Sequence, residues 1–563
     1  MNLSIRFESS HDMPMFSLFS CLRLGGIVLL ALTTAACQQA QTQNTRPQPL
    51  PQDAFVEVYF NHSQAAEYIE PLRNQRRDGD NLEQIIVDAI ASANSTIDIA
   101  VQEFRLPQIA KALADRKKAG VKVRIILENN YSRPFSSLTA TEVEKLPERE
   151  RDRYQEFRQL IDRDRDNNIT PDEINNRDAL VILKKAGIPI IDDTADGSKG
   201  SSLMHHKFVI VDGVKILVTS ANFTTSDIHG DFKNTSSLGN ANNLLKITSS
   251  ELAALFTQEF NIMWGDGPGG KPDSQFGVKK PDRPAQQIQL GDTTVSLQFS
   301  PTSLRLPWDE SSNGLIGKTL KTATATIDLA LFVFSEQNLV NILEKSHQQR
   351  VQVRALIDPD FAYRSYSEAL DMMGVAFANK CKYEPHNRPW GNPLSTVGVP
   401  QLLKGDLLHH KFGLIDDKIV ITGSHNWSLA ADRNNDETVL VIQSQTVAAH
   451  FKREFERLYE NALLGVPDWM QRKIKAQQQQ CPQIITASPK QGQNLSPQSQ
   501  EQKVNLNTAS IAELEALPGV GPKLAREIIQ ARQQKPFTSL EDLDKVPGVG
   551  SSKLEKLRDR VTW

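Results

Sequence analysis

Cysteine is scarce in this chain, 4 in 563 residues, and the sequence offers no paired Cys/His spacing of a zinc site. A zinc framework is excluded. An excess of charge of one sign is also missing: 64 Lys and Arg face 67 Asp and Glu, a formal net charge of −3. No global field selects an anionic partner, so any affinity for phosphate has to be local. The apolar run near the N-terminus, GGIVLLAL at 25–32, is too short to span a bilayer. What remains, 39% hydrophobic and 23% charged residues, describes ordinary globular material sufficient for several domains.

One stretch stands out because it occurs twice. MHHKFVIVDGVKILVTSAN (204–222) recurs as LHHKFGLIDDKIVITGSHN (408–426), and both read His-x-Lys, then Asp, then Ser-x-Asn at identical spacing. The matched positions are His205, Lys207, Asp212, Ser220 and Asn222, and His409, Lys411, Asp416, Ser424 and Asn426. At roughly one in twenty per position, five fixed matches arise by chance about once in several million starts. An isolated His is most simply a surface or satisfied core residue, but duplication of the whole set removes that reading.

The apolar, β-branched run after each Lys, the Asp-Gly or Asp-Asp pair and the second apolar run predict a buried β-hairpin. Alternation along a strand puts His205 with Lys207, and His409 with Lys411, on one face, and turns His206 and His410 away. The same parity takes Asp212 and Asp416 off that face, so they are read as structural, fixing the turn. A neutral imidazole attacks phosphorus, and adjacent cations hold the charged oxygens of the transition state. With two copies, one His serves as nucleophile while the other protonates the leaving oxygen and later activates water. Two Lys and two Asn then surround the phosphate, and the chemistry requires no cofactor.

These residues resemble the duplicated His-Lys-Asp signature of the phospholipase D superfamily, over about residues 54–463. The resemblance implies phosphodiester cleavage in lipids or nucleic acids through a phosphohistidine, with His205 the nucleophile and His409 the general acid/base. Gly423-Ser424-His425-Asn426 matches the family pattern fully, whereas Thr219 replaces the usual Gly in the first copy. The family also places a Glu downstream to orient the catalytic His. Here it is Glu437, and Asn242 occupies the matching place in the first half, unless Asp227 or Asp231 substitutes from the longer loop.

The repetition extends beyond the motif. STIDIAVQEF (95–104) matches ATIDLALFVF (325–334), and GVKVRIILE (120–128) matches RVQVRALID (350–358), each pair enclosing an amphipathic helical stretch. The expected fold is α/β: two tandem phospholipase-D-like sandwich halves sharing one active site, at 54–265 and 289–463, separated by a Gly/Pro-rich linker at 266–288. The first half carries extra residues before its His, an insertion at about 139–176. DRDRDNNITPDE (162–173) has the twelve-residue spacing of an EF-hand calcium loop, with Asp162, Asp164, Asp166, Asn168, Thr170 and Glu173 as ligand positions. It departs from that pattern at Asn167, where Gly normally makes the turn, and it is a single hand where such loops usually pair. Its expected cargo is a structural Ca²⁺, the alternative a solvated acidic loop.

Residues 1–36 have the layout of a secretory signal, with small residues before Cys37 that resemble a bacterial lipoprotein site, and 37–53 reads as a tether. The expectation is an exported lipoprotein anchored in a membrane through Cys37, with plain secretion the alternative. Cys381 and Cys481 then either pair or stay free. A Gln/Pro/Ser-rich linker at 464–502 leads to a second repeat, LPGVGPKLAREII and VPGVGSSKLEKL, within 503–563. Each Gly-Val-Gly exposes N–H groups at a helix start, which bind phosphate without reading bases. This module closely resembles the double helix-hairpin-helix domain of bacterial competence DNA-binding proteins. The resemblance implies DNA contacts at Gly519, Val520, Gly521, Lys523, Gly548, Val549, Gly550 and Lys553. With 10 Lys and Arg against 8 Asp and Glu, binding is expected to be weak, salt-sensitive and not sequence-specific. Two functions follow: a tethered nuclease whose tail holds DNA, and a phospholipase D acting on phospholipid headgroups. The active site is expected to be complete in a monomer.

Overall fold

The computed structural model describes residues 46–198, 202–378, 381–383, 387–481 and part of the stretch from Val504 to Trp563. The signal region with Cys37 and most of the linker before Val504 lie outside the described residues. The chain divides into two compact units, Met1–Ile485 and Thr486–Trp563.

The first unit is built on two sheets of the same design. In the first half the strands are β1 (Val56–Phe60), β2 (Thr96–Val101), β3 (Lys122–Leu127), β4 (Ile190–Asp192), β5 (Lys207–Val211), β6 (Lys215–Thr219) and β7 (Asn243–Thr248), in the order β1-β7-β6-β5-β2-β3-β4. The second half adds β8 (Gln286–Leu290), β9 (Thr293–Ser300), β10 (Thr326–Leu331), β11 (Gln352–Ile357), β12 (Val397–Val399), β13 (Lys411–Ile415), β14 (Ile419–Gly423), β15 (Glu437–Gln443) and β16 (Leu463–Leu464). Their order, β8-β9-β15-β14-β13-β10-β11-β12-β16, repeats the first sheet with one more strand at each edge. The predicted hairpins are β5–β6 and β13–β14, running antiparallel, while β2–β3 and β10–β11 are parallel pairs crossed by helices.

The helices that position the site are α1 (Leu82–Ala91), α2 (Pro107–Lys118), α3 (Glu148–Ile161), α4 (Pro171–Arg177), α5 (Ala179–Lys185), α6 (Ser250–Trp264), α7 (Ser312–Leu320), α8 (Gln337–Gln348), α9 (Gln445–Tyr459) and α10 (Asp468–Gln480). Period-2 alternation assigns each sheet two cores. Phe208 and Ile210 of β5, and Phe412 and Leu414 of β13, join one cluster between the halves, together with Phe256 and Phe260 of α6 and Phe451 and Phe455 of α9. Val209 and Val211 turn instead to α1, α2 and α5, and Ile415 to α7 and α8. Helices α6 and α9 start at matched caps, Ser249 accepting from the Leu252 N–H and Ser444 from the Val447 N–H. After the acidic loop the chain forms two short helices, α4 and α5, divided at Asp178, whose carboxylate caps α5.

Two expected linkers are structural. The separator 266–288 ends inside β8, buries Phe276, and sends Lys280 into the core to pair with Glu259 and, at 2.5 Å, with Asp436. A Gly/Pro count does not register that one buried cation with two buried carboxylates outweighs chain flexibility. Likewise the first part of 464–502 is α10, whose Met470 and Ile474, four apart, pack on the second half. Gln477 accepts from the Ala378 N–H at 2.9 Å and donates to its carbonyl at 2.5 Å. Cys381 and Cys481 form a disulfide with Cα atoms 5.6 Å apart, so the second half ends at Cys481.

The second unit has a small core of Leu506, Leu514, Leu524, Ile528, Phe537, Leu543 and Leu557. Its helix α11 (Pro522–Gln534) sends Arg532 to the carbonyls of Leu506, 2.9 Å, and Ala509, 2.7 Å.

The disulfide closes a loop of 100 residues, for which loop entropy gives about 4.7 kcal/mol, where bridges typically deliver about 2–4 kcal/mol. Cys481→Ser, or reduction of the native chain, should lower the urea midpoint of the first unit accordingly. Identical midpoints with and without dithiothreitol would rule the bridge out.

Candidate active site

The two halves meet by exchanging strand ends. Met204 bridges Asp436 and Ala241 bridges Leu408, both in parallel. The His205 N–H donates to the Asp436 carbonyl at 3.0 Å and the His409 N–H to the Ala241 carbonyl at 3.1 Å. Each motif His is thereby set beside the residue that starts or precedes the last motif strand of the other half. His205 donates from Nδ1 to Glu437 Oε2 at 2.7 Å, and His409 from Nδ1 to Asn242 Oδ1 at 2.9 Å. Glu437 thus orients the histidine of the opposite half, which a comparison of either half with itself does not reveal.

The amide of Asn242 fixes a tautomer. Its Nδ2 donates to the carbonyls of Asp227, 2.9 Å, and Asn240, 3.1 Å, so its Oδ1 must accept, from Ser220 Oγ at 2.7 Å and from His409. His409 therefore carries a proton on Nδ1. Ser424 Oγ plays the same part for Glu437, 2.7 Å from Oε2. In both rings Nε2 is left for a substrate.

Lys207 and Lys411 are buried beside the histidines, donating to the carbonyls of His205 (3.0 Å) and His409 (2.5 Å). Lys207 also reaches Gln102 at 3.3 Å, where Lys411 instead lies 4.9 Å from the centroid of Phe332. Burial, more than any single neighbour, lowers the Lys207 pKa to about 8, opposed by Glu437 and Asp227. Burial and then Lys207 push Lys411 well down. Both imidazoles are held well below their ordinary value, first by burial and then by the two Lys. Burial raises the Glu437 carboxyl, against His425, Lys207 and the donors Ser424 and Asn435. Asn222 and Asn426 each keep a buried side-chain oxygen without a partner.

Several supporting groups were not singled out in the sequence. Glu128 accepts the Met204 N–H at 2.7 Å and Asp358 the Leu408 N–H at 2.8 Å, each carboxylate bracing the residue before a motif His. Burial raises Glu128 to about 7 and Asp358 to about 6. Both end the repeated strands GVKVRIILE and RVQVRALID, so the signal was present as a repeated carboxylate. His206 spans Thr438, 2.9 Å, and Glu259, 3.3 Å, and His410 spans Asn243, 3.2 Å, and Glu454, 2.9 Å. These rings tie the halves together on the face away from the site.

Asp212 and Asp416 sit in the hairpin turns at φ of 53° and 51°. Their carboxylates reach across to the neighbouring strand: Asp212 accepts the N–H groups of Asn94, Ser95 and Thr96, and Asp416 those of Thr324, Ala325 and Thr326, at 2.7–2.9 Å. They fix the approach to β2 and β10 as well as the turn. Gly423, at φ 134°, lies so close to the Thr438 carbonyl that an added Cβ would stand 2.2 Å away. Thr219 in the matching place instead donates to the Asn243 carbonyl at 2.6 Å.

A profile described as "Cardiolipin synthase, PLD-like domain" matches residues 86–264 and 316–459, over half the chain. The chain belongs to the phospholipase D-like family. A helix-hairpin-helix profile matches 499–562. Among curated relatives, the mitochondrial cardiolipin hydrolase of Canis lupus familiaris is 32% identical over 156 residues, 28% of this chain and 53% of that protein. The chain thus spans about half the length of that relative. ComE operon protein 1 of Bacillus subtilis (strain 168) is 42% identical over 60 residues, 10% of this chain and 29% of that protein. Among solved structures, phosphatidylserine synthase of Haemophilus influenzae Rd KW20 covers 81% of this chain and 99% of its own, at 13% identity and a TM-score of 0.45.

Two features distinguish this phospholipase D-like chain. In the insertion, carboxylate oxygens of Asp162, Asp164 and Asp166 lie within 4.8 Å of one another, and Asn167 takes the left-handed turn at φ 64°, its N–H donating to Asp162 Oδ2 at 3.0 Å. The second Asp162 oxygen is buried without a partner, and the N–H of Asn168 donates to Asp166 at 2.7 Å. Glu173 closes the loop, accepting from the N–H groups of Arg163, 2.6 Å, and Thr170, 2.9 Å. In the helix-hairpin-helix domain, the Val520 and Val549 side chains are buried in the core. Their N–H groups donate to the carbonyls of Leu517, 3.1 Å, and Val546, 3.0 Å. Each hairpin spends its valine side chain on the core. Lys523 lies in α11. Gly519, Gly521, Gly548, Gly550 and Lys553 lie outside the described residues.

The Asp416 carboxyl is held down at about 2, its partial burial outweighed by the Thr324 hydroxyl and the N–H groups of Thr326, Thr324 and Ala325. A depressed folded value means stability present above the unfolded pKa, near 4, and lost as pH falls through the folded one. Asp416→Asn should therefore cost about 1–3 kcal/mol at neutral pH. In urea titrations that difference should shrink between about pH 4 and 2; a pH-independent difference would show that the charge is not what matters.

Proposed function

We propose that the chain is a phosphodiesterase, and specifically an exported, membrane-tethered nuclease. The observation that carries this reading is the pair of histidines, one from each half, with Nδ1 tied across the interface and two buried Lys beside them. His205 Nε2 attacks phosphorus and Glu437 stabilises the resulting imidazolium; the P–O bond to the leaving group breaks and that oxygen takes the Nε2 proton of His409. His409 then removes a proton from water, which attacks the phosphohistidine, breaks the P–N bond and returns His205 to its neutral form. Lys207, Lys411, Asn222 and Asn426 hold the phosphoryl oxygens. One chain supplies both halves, so the site acts as a monomer.

The helix-hairpin-helix domain favours nucleic acid, because a tethered DNA-binding module raises the local concentration of substrate at the site. The disulfide fits an oxidising compartment, in keeping with a cleaved signal and acylation at Cys37. A second reading, hydrolysis of phospholipid headgroups, draws on the names of the matching profile and of the cardiolipin hydrolases. To separate them, the chain without its first 37 residues is offered plasmid DNA, and vesicles of phosphatidylethanolamine or cardiolipin, in EDTA. DNA cleavage reduced about 10³-fold or more by His205→Ala and by His409→Ala is expected. Headgroup release without DNA cleavage would make it a phospholipase D, and an absolute need for magnesium at the chemical step would end the metal-free mechanism.

The loop at 162–173 is proposed to hold a structural Ca²⁺ through Asp162, Asp164, Asp166, Asn168, Thr170 and Glu173, trading the hydrogen bonds of Glu173 for ligation. Its helix α3 buttresses the active-site half, Glu156 accepting from the Phe232 N–H at 2.8 Å. Calorimetry at millimolar calcium should give a heat that Glu173→Gln abolishes. No heat in the native chain would refute the site.

A further inference from the structure

The two histidines are not served alike: His205 has a carboxylate on Nδ1, His409 an amide. In the second half Glu437 follows Asn426 by eleven positions, while in the first Asn242 follows Asn222 by twenty. The longer loop brings in Asp227. We propose that Asp227 is a positioning residue for His409, supplying through space the negative charge that Asn242 does not carry; the proposal rests on the phosphodiesterase reading above.

Asp227 is buried, and its Oδ1 stands 3.9 Å from His409 Nδ1, too far for a hydrogen bond but close enough for a strong electrostatic effect between buried groups. The carboxylate does not wander. Oδ2 accepts the Asn222 N–H at 2.8 Å, Oδ1 accepts from Asn240 Nδ2 at 2.5 Å, and the Asp227 carbonyl receives the Asn242 amide. One residue thus fixes Asn222, orients the amide that orients His409, and stands behind it with its charge.

The loop is itself clamped. Arg73 donates to the carbonyls of Asp231 and His229, each at 2.7 Å. His229 lies between the Tyr68 hydroxyl, 2.9 Å, and Glu83, 2.8 Å. From the other half, Asp406 accepts the N–H groups of Leu238, 2.9 Å, and Gly239, 3.2 Å. Asp231, the other acid in the loop, is turned towards Asn234, Glu156 and Asp406.

A general acid has to hold its proton until the leaving oxygen takes it. The charged or titratable neighbours Lys411, Lys207, His205 and His410 all oppose a cation on His409. Phe332, whose centroid is 4.8 Å from the ring, and Asn242 are neutral. Asp227 is the carboxylate that stands against His409 Nδ1, at 3.9 Å, and it bears on His205 as well.

The test exchanges the pair as Asp227→Asn with Asn240→Asp. The exchange keeps a 227–240 hydrogen bond and the net charge, but takes the carboxylate off the residue that stands 3.9 Å from His409 Nδ1. With an alkyl diester or DNA, kcat at about pH 8 should fall about tenfold or more and its alkaline limb should move down by about one pH unit, with KM within about threefold. The burst of nitrophenolate from bis(p-nitrophenyl) phosphate should stay within about threefold, because an aryloxide departs without a proton. Asp227→Glu, which keeps the charge, should restore the pH profile. An unmoved profile, or equal losses on both substrates with a lowered Tm, would overturn the proposal. A wild-type chain inactive on every diester would overturn the parent reading instead.

Discussion

The bond between His205 and Glu437 spans the two halves of the chain, and much of the first unit serves to make that span possible. A histidine buried between two Lys needs a fixed acceptor, and neither half has one for its own ring. Each sheet therefore delivers an acceptor from the start of, or just before, its last motif strand to the ring on the other sheet, 2.7 Å and 2.9 Å away. That reach holds only if the sheets keep their register, which the apolar layer of β5, β13, α6 and α9 and the ties through His206 and His410 secure. On the proposed mechanism half a site lacks its partner histidine, and the fold ties the halves together through these bonds.

Much of this was legible beforehand, and the reason is periodicity. The repeated strands, the hairpins and the opposed faces of His205 and His206 follow from an alternation of two and a duplication that needs no partner to be seen. The exchange of Glu437 and Asn242 between halves was not legible, because it is a contact between residues 232 and 167 positions apart whose motif spacing fits assignment to the same half equally well. Linker composition misled for a related reason. Gly, Pro and Gln report on local chain freedom, whereas Lys280 and the Met470–Ile474 pair gain their order from distant carboxylates and from the second core. For the helix-hairpin-helix domain the resemblance identifies a hairpin but not which of its side chains the core takes, and here the core takes both valines.

The electrostatics of the site carry one more consequence. Two Lys and two His share a small buried volume, and their protonated forms are disfavoured by the same causes: lost hydration and one another. Glu437 and Asp227 offset only part of this. On the proposed reading, a phosphodiester entering among them supplies the counter-charge that offsets burial, which raises the depressed pKa values. Binding of the anion and uptake of protons are then one event. On the proposed mechanism the proton that the leaving oxygen needs is taken up as the substrate arrives, which reconciles a ring disfavoured as a cation by burial with the part of general acid.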